Sequence, residues 1–374
     1  MSGRTNDNQT SFPGLTFVGV EGLVRDNIKK MLPYAAARHE FTGDASIFLD
    51  ANENSQGSPL EENFNRYPDP LQWKLKFAIA GIKGVPAENI FIGNGSDEVI
   101  DLAFRIFCNP GKDNVIICPP TYGMYEVSAH INDVEIRKAR LSEDFQLDVP
   151  GIINLTDAFT KMIFICSPNN PTGNNMDRQS MEWLLNNFPG LVIIDEAYIN
   201  YSRQKTFIQE LTEYPNLLVM QTLSKAWGLA ALRIGTCFAS QEIIDLFNKV
   251  KPPYNINQAS QQLAIEALSN TELVNDWIKE TVKQRQVLEQ ELLKFSFVEK
   301  IFESDANFLL VRVKSADALY KYLADNGIVV RNRSKDPLCE NCLRITVGTA
   351  AENKQLLDVL NSADDPARRP NTSF

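Results

Sequence analysis

Lys225 stands alone in the stretch NLLVMQTLSKAWGLAALRIGTCFAS, residues 216 to 240, between an apolar run that reaches Thr222 and the small apolar residues after Trp227. An amine in such surroundings loses hydration, its pKa falls, and it becomes a nucleophile. The alternative is a lysine whose stem packs while its head reaches water. Arg233 follows eight residues later. Two further stretches have the composition of a site. GNGSDE, residues 93 to 98, sets glycines before a helix start, where free N–H groups and the positive dipole end attract a phosphate. Its alternative is a tight turn with Ser96 or Asp97 as the helix cap. Glu98 stands where a dinucleotide fingerprint needs a third glycine or alanine. IIDEAY places Asp195 at the end of an apolar run, either as a cap or as an anion for a ligand's cation.

The elements that must position these residues are legible as alternation. From about Asn89, short β-rich apolar runs (NIFIG, NVIICPP, DVEIRKA, KMIFIC, LVIIDEA, NLLVMQT, LRIGTCF) alternate with helical ones (SDEVIDLAFRIF, YGMYEVSAHI, DRQSMEWLLNNF, QEIIDLFNKV). This predicts an α/β large domain whose mixed, mainly parallel sheet is flanked by helices. After about Tyr254 comes one long helical run over residues 261–295, then strands NFLLVRV, IVVR and LRITVG among the helices ADALYKYLADNG and AENKQLLDVLNS. That predicts a smaller α+β domain. The division is residues 1–50 as an N-terminal segment packing on the small domain or a partner subunit, 51–258 as the large domain, and 259–374 as the small one, with a frayed tail.

In open α/β sheets, ligands sit beyond the carboxyl ends of the strands. The polar groups that follow the strands, NGSDE, SPNNPTG, DEAY and LSKAW, therefore converge on one edge. A lysine, an aspartate at a neighbouring strand end, a phosphate cradle and an arginine form the set that pyridoxal 5'-phosphate (PLP) needs. The amine meets its aldehyde, the carboxylate keeps its pyridine nitrogen protonated, and the cradle and arginine take its phosphate.

From about Tyr34 to about Thr349 the chain resembles the fold-type I PLP-dependent aminotransferases. LDANEN, NRYPDP, GNGSDEVID, PTYGMY, SPNNPTG, DEAYINY, TLSKAWGLAALRIG, DANFLLVRV and LRITVGT, in this order, carry the resemblance. LDANEN, RYPDP and LRITVGT point to the histidinol-phosphate branch. The resemblance implies that Lys225 forms an imine with the cofactor and then acts as general base and acid. It implies that Asp195 pairs with the pyridine nitrogen, that Asn170 and Tyr198 hydrogen-bond the phenolic oxygen, and that Tyr122 stacks on the ring. Ser96, Asp97, Thr222, Ser224 and Arg233 would hold the phosphate, with Tyr67 reaching it from the other subunit of a homodimer. Arg344 would bind the substrate's anionic end, helped by Arg331 and Tyr34, with Asn52 and Glu53 near the substrate. The implied reaction moves an amino group between L-histidinol phosphate and 2-oxoglutarate, giving imidazole acetol phosphate and glutamate, in histidine biosynthesis. An aromatic amino-acid aminotransferase and a threonine-phosphate decarboxylase share much of the pattern. A PLP-binding regulator would need a helix-turn-helix domain for which the N-terminal segment is short. Trp227 stands where the family has Phe, Ala231 where Gly is common, and Ser55 where Pro is usual, while the loop SKDPLCENC is longer and more polar than the family pattern.

Bulk composition bounds the partners. A formal net charge of −10 over 374 residues makes a poor general binder of nucleic acid or anionic membrane, so an anionic ligand must be met by a few local arginines. The polar N-terminus carries no apolar signal segment and no run reaches membrane-spanning length, which points to the cytoplasm. Six cysteines and two histidines, with a single CxxC at Cys339 and Cys342, argue for reduced thiols and against a metal site.

Overall fold

The computed structural model describes residues 17, 19–34 and 47–364. Strands β1 (Ile90–Asn94), β2 (Asn114–Ile117), β3 (Glu135–Lys138), β4 (Thr160–Cys166), β5 (Leu191–Asp195), β6 (Leu217–Thr222) and β7 (Ile234–Ala239) form a seven-stranded sheet in the order β1-β7-β6-β5-β4-β2-β3. β3, β2, β4, β5 and β6 are parallel; β7 runs antiparallel to β6 and to β1. The reversal follows from the connection. Residues 223–233 are fewer than the dozen or so that a parallel crossover needs, so the chain turns straight back.

Alternate residues of the central strands feed two separate cores. Ile163, Ile165, Val192 and Ile194 face a layer holding the helices Trp73–Lys83 and Arg178–Asn187. Met162, Phe164, Leu191 and Ile193 face one holding Ser96–Phe107, Met124–Ile131 and Gln241–Val250. Strands covered on both faces are apolar at every position, which is why the sequence showed them as short unbroken runs. The α/β expectation with a mixed, mainly parallel sheet is met.

Strands β8 (Val298–Ile301), β9 (Phe308–Val313), β10 (Arg331–Asn332) and β11 (Cys342–Thr346) make a second, antiparallel sheet ordered β10-β11-β9-β8. Leu288 and Leu292 of helix Thr271–Leu292, Leu319 and Leu323 of Ala316–Asp325, and Leu356 and Leu360 of Ala350–Asp364 close its core.

Three local expectations differ from the structure. The long helical run is two helices, Gln258–Leu268 and Thr271–Leu292. At the break, Ser269 Oγ (2.6 Å) and Asn270 Nδ2 (3.2 Å) both donate to the Glu266 carbonyl, offering the backbone an alternative to continued helix. IVVR is strand only at Arg331, and Val329 within it is 78% exposed. In the N-terminal segment, Val20, Leu23, Val24 and Ile28 pack with Phe104, Ile106 and Phe107 over the large sheet, not on the four-stranded one. Arg25 fixes this segment by donating from its backbone N–H to the Ile106 carbonyl at 3.0 Å and from its guanidinium to the Arg105 carbonyl at 2.8 Å. Among the described residues, no helix is long and apolar enough to cross a membrane.

Phe164 lies fully buried with its ring 5.5 Å from Phe104 and 4.9 Å from Tyr125. Phe164→Ala is expected to cost about 3–5 kcal/mol of unfolding free energy, and Phe164→Leu markedly less, as checked by urea denaturation of both variants.

Candidate active site

The carboxyl ends of β4, β5 and β6, the start of the helix after β1, and the β10–β11 pair enclose a cleft of about 560 Å³. Ser96, Asp97, Tyr122, Asn170, Asp195, Tyr198, Thr222, Ser224, Lys225, Arg233, Arg331 and Arg344 all line it, so twelve residues singled out in sequence meet in space. A larger cleft of about 680 Å³, with Glu143, Asp177, Glu303 and Asp305 on its walls, holds none of them.

One end of the cleft is built for an anion. Helix Ser96–Phe107 starts after Gly95 with no side chain capping its first N–H groups, so the reading of Ser96 or Asp97 as the cap does not hold. Gly95 has φ +75°, and a Cβ there would run into the Arg233 guanidinium. Arg233, itself at φ 56°, accepts from the Gly95 N–H at 2.8 Å and places Nη2 3.2 Å from Asp97 Oδ2. Gly235 on β7 lets that strand pass against the backbone of Gly95 and Ser96, where any Cβ would collide. The remaining members are held by the sheet. Thr222 Oγ1 donates to the Ile234 carbonyl (3.2 Å) and accepts from the Ser224 N–H (3.1 Å), and Ser96 Oγ reaches the Gln221 carbonyl at 3.5 Å.

The middle of the cleft holds Asp195, Lys225 and Tyr198. Asp195, at the end of β5, is 4% exposed; Tyr125 donates its hydroxyl to Oδ2 at 2.7 Å and Ala197 its N–H to Oδ1 at 3.1 Å. Burial raises the Asp195 pKa, while these two donors and the Lys225 charge pull it down. Lys225 is not enclosed among apolar groups as its sequence context suggested. It stands exposed on the cleft wall, with Nζ 5.5 Å from the centre of the Tyr198 ring, while Leu223, Ala226 and Trp227 beside it are buried. Lost hydration lowers its pKa, the Arg344 and Arg233 guanidiniums lower it further, and Asp195 and Asp97 oppose them. Burial also raises the Tyr198 pKa, so its phenol is a neutral donor at neutral pH. Asn170 Oδ1 accepts from Arg344 Nη1, and its loop is pinned by buried Asn169, which donates to the Pro120 carbonyl (2.8 Å) and Thr172 Oγ1 (2.7 Å). Tyr122 donates to Asp97 Oδ1 at 3.2 Å and meets Tyr125 edge-on at 5.6 Å.

Four predicted residues lie outside this cleft. Tyr34 is 70% exposed. Glu53 binds Arg66 Nη1 and the Tyr67 N–H, each at 2.6 Å, so both its oxygens order the 53–67 loop, and Asn52 at φ 55° begins that loop. Tyr67 stacks on Tyr254 with centroids 4.5 Å apart and is 51% exposed. The unusual Trp227 packs in the core under the large sheet, and Ala231 sits in the 3-10 turn before Arg233, so neither reaches the cleft. Two residues were missed. Tyr125 belongs to the quoted PTYGMY, where only Tyr122 drew notice, and Arg333 follows Arg331 at the spacing that keeps a strand's side chains on one face.

The pattern of the family described as aminotransferase class I and II matches residues 47–360. The chain belongs to that family. It is 52% identical to a histidinol-phosphate aminotransferase of Cytophaga hutchinsonii, over 92% of this chain and 99% of that one. It is 51% identical to one of Bacteroides thetaiotaomicron, over 91% and 98%. Among solved structures, the histidinol-phosphate aminotransferase of Clostridium acetobutylicum superposes with TM-score 0.74 at 25% identity, covering 80% of this chain and 91% of that one. The enzyme of Sinorhizobium meliloti, solved in complex with pyridoxal-5'-phosphate, has the same fold, with TM-score 0.74 at 23% identity over 83% and 90%.

The fit at Gly95 is testable. Gly95→Ala is expected to cost about 1–2 kcal/mol of stability through its positive φ and to weaken binding of a phosphate monoester about tenfold or more by displacing Arg233. Thermal unfolding and equilibrium titration with pyridoxal phosphate read the two effects separately.

Proposed function

We propose that this chain is a PLP-dependent transaminase that moves an amino group between L-histidinol phosphate and 2-oxoglutarate, a step of histidine biosynthesis. The observation that carries the reading is the meeting of Lys225, Asp195 and an uncapped helix start with Arg233 in one cleft. These residues fit pyridoxal phosphate: the helix start and Arg233 match its phosphate, and Asp195, a buried acceptor, matches its ring nitrogen. The relatives over nearly the whole chain support the same substrate. When bound, the cofactor supplies an aldehyde that takes up the amino group and a protonated ring that accepts the electrons freed when the substrate loses its α-proton.

The chain's own residues do the rest. Lys225, its pKa lowered, takes the proton from the substrate's Cα and returns it at the neighbouring carbon. Asp195 would keep the cofactor's ring nitrogen protonated, and Tyr125 and Ala197 hold Asp195. Asn170 and Tyr198 would donate to the cofactor's phenolic oxygen, Tyr122 would stack on its ring, and Ser96, Asp97, Thr222, Ser224 and Arg233 would hold its phosphate. Arg344 and Arg331, across the cleft, take the anionic end of either substrate. Tyr34, Asn52 and Glu53 lie outside the cleft of their own chain, so in this reading they serve the substrate only indirectly. Tyr67, exposed and outside its own cleft, is assigned to the site of a second copy in a homodimer. The chain acts in the cytoplasm on small molecules. The division at residue 258 is supported by the placement of each sheet on one side of it, although Ala264 and Leu268 of the next helix pack with the large sheet's core.

Borohydride reduction of the purified holoenzyme, followed by peptide mapping, is expected to find the cofactor fixed to Lys225. Lys225→Ala is expected to carry no such label and to form no glutamate from histidinol phosphate and 2-oxoglutarate; full activity in that variant would sink the assignment. Release of carbon dioxide in place of glutamate would mark a decarboxylase. For the dimer, mixing Lys225→Ala with Tyr67→Phe subunits is expected to raise activity above the sum of the separate variants, because each mixed dimer regains one site with both side chains intact. No gain on mixing would remove Tyr67 from the neighbouring site.

A further inference from the structure

Strands β10 and β11 put three arginines on one wall of the cleft. Arg331 stands directly opposite Arg344 in the antiparallel register, and the Arg333 N–H extends that ladder to the Cys342 carbonyl at 2.8 Å. Residues two apart share a face, so Arg333 joins the other two. Like charges directly opposite one another are destabilising, and their crowding adds to burial in lowering the Arg344 pKa. One counter-charge is built in: Asp336 Oδ2 lies 2.6 Å from Arg333 Nε. Three guanidiniums against that one carboxylate leave a surplus of two positive charges. The surplus destabilises the free protein and matches a doubly charged anion better than a singly charged one.

The loop that holds Asp336 is built for the purpose of fixing it. The Asp336 N–H donates to the Arg333 carbonyl at 2.9 Å, Cys339 to the Asp336 carbonyl at 3.2 Å, and Cys342 to the Cys339 carbonyl at 3.0 Å. Both cysteines are fully buried in the core, and burial pushes the Cys339 thiol up to about 12. They anchor the loop as apolar groups and keep the Asp336 carboxylate against Arg333. The ion pair lies at Nε as a charge contact without hydrogen-bond alignment, and among the described residues no hydrogen bond or ion pair takes up the terminal nitrogens of Arg333.

We infer that Arg333 is the residue that makes this wall select a phosphate monoester dianion over a carboxylate. A planar carboxylate is satisfied by one guanidinium fork, that of Arg344, whereas a phosphate dianion presents a third oxygen and a second charge. Arg333 thus acts on the histidinol phosphate half-reaction and not on the glutamate one; the assignment rests on the transaminase reading above.

The holoenzyme and Arg333→Gln are compared in the two half-reactions under single-turnover conditions, and with glycerol 3-phosphate as a competitor of glutamate. The variant is expected to lose about tenfold to a hundredfold in kcat/KM for histidinol phosphate, mainly through KM, with glutamate changed less than about threefold. Its inhibition by glycerol 3-phosphate is expected to weaken by a similar factor, and Arg333→Lys, which keeps the charge but not the fork, to fall between. Equal losses with both substrates, or none with histidinol phosphate, would overturn the proposal. A wild-type enzyme that ignores histidinol phosphate would instead refute the transaminase substrate, while the glycerol 3-phosphate competition would still test Arg333. If the Gln variant does not fold, the Lys variant carries the same comparison.

Discussion

Burying a carboxylate costs several kcal/mol unless donors or cations meet it, and the structure is arranged around one that is buried. Asp195 ends the central strand of seven, and its two oxygens are met by a phenol and a backbone N–H. The phenol belongs to Tyr125, whose ring is stacked in the core on Phe164 of the adjacent strand. The position of the charge is therefore fixed by core packing and not by a loop. Register carries this outward. Asp195 pairs with Cys166 on one side and Met220 on the other, so the chain leaves β4, β5 and β6 near the same level. The turns that follow bring Asn170, Tyr198 and Lys225 to one cleft. A slip of one residue in either pairing would turn Asp195's neighbours to the opposite face.

The same economy appears in the charges. The chain carries ten more negative charges than positive, yet its cleft collects four arginines besides Lys225, namely Arg233, Arg331, Arg333 and Arg344. Two of these are buttressed by aspartates, Arg233 by Asp97 and Arg333 by Asp336. An aspartate that only neutralised its arginine would spoil an anion site. Asp97 accepts from Arg233 Nη2 and so fixes the direction of that guanidinium, while Asp336 lies against Arg333 Nε and offsets part of its charge. Both ends of the cleft set an aspartate against an arginine, and Asp195 and Lys225 line the same cleft.

The sequence disclosed most of this where burial is complete on both faces. β4, β5 and β6 are apolar at nearly every position, and the polar residues that interrupt them mark the strand ends, so Asp195 and Lys225 stood out. Elements with one wet face were harder. β8, with Glu299 and Lys300 exposed, has no apolar run to show, and helix Trp73–Lys83 hides its period because Lys76 is buried within it. IVVR is apolar and Val330 is buried in the small core, yet Val329 is exposed, so it suggested a longer strand than forms. In the site, residues that touch the cleft were legible through their strand-end position. Tyr125 was not, because its role is exerted through another side chain. Glu53, a carboxylate in a polar motif, gave no sign in the sequence of the bonds it makes to Arg66 and the Tyr67 backbone.

The antiparallel turn of β7 is what brings Arg233 to the start of helix Ser96–Phe107. Had the chain after Lys225 crossed over to a parallel strand, Arg233 would have emerged at the opposite edge of the sheet, far from the helix start it serves. The short return keeps residues 223–233 on the edge where the parallel strands end, and β7 then runs between β6 and β1. That path sends the chain past the start of helix Ser96–Phe107 so closely that Gly235 and Gly95 admit no side chain. Arg233 enters with a left-handed backbone, unusual for a residue other than glycine and costing roughly 1–2 kcal/mol. The conformation is what bends its guanidinium back over Gly95, and the bond from the Gly95 N–H to the Arg233 carbonyl locks it there. The spacing between Lys225 and Arg233 is thus a property of the turn: long enough to place the amine over the central strand, and short enough to forbid a crossover.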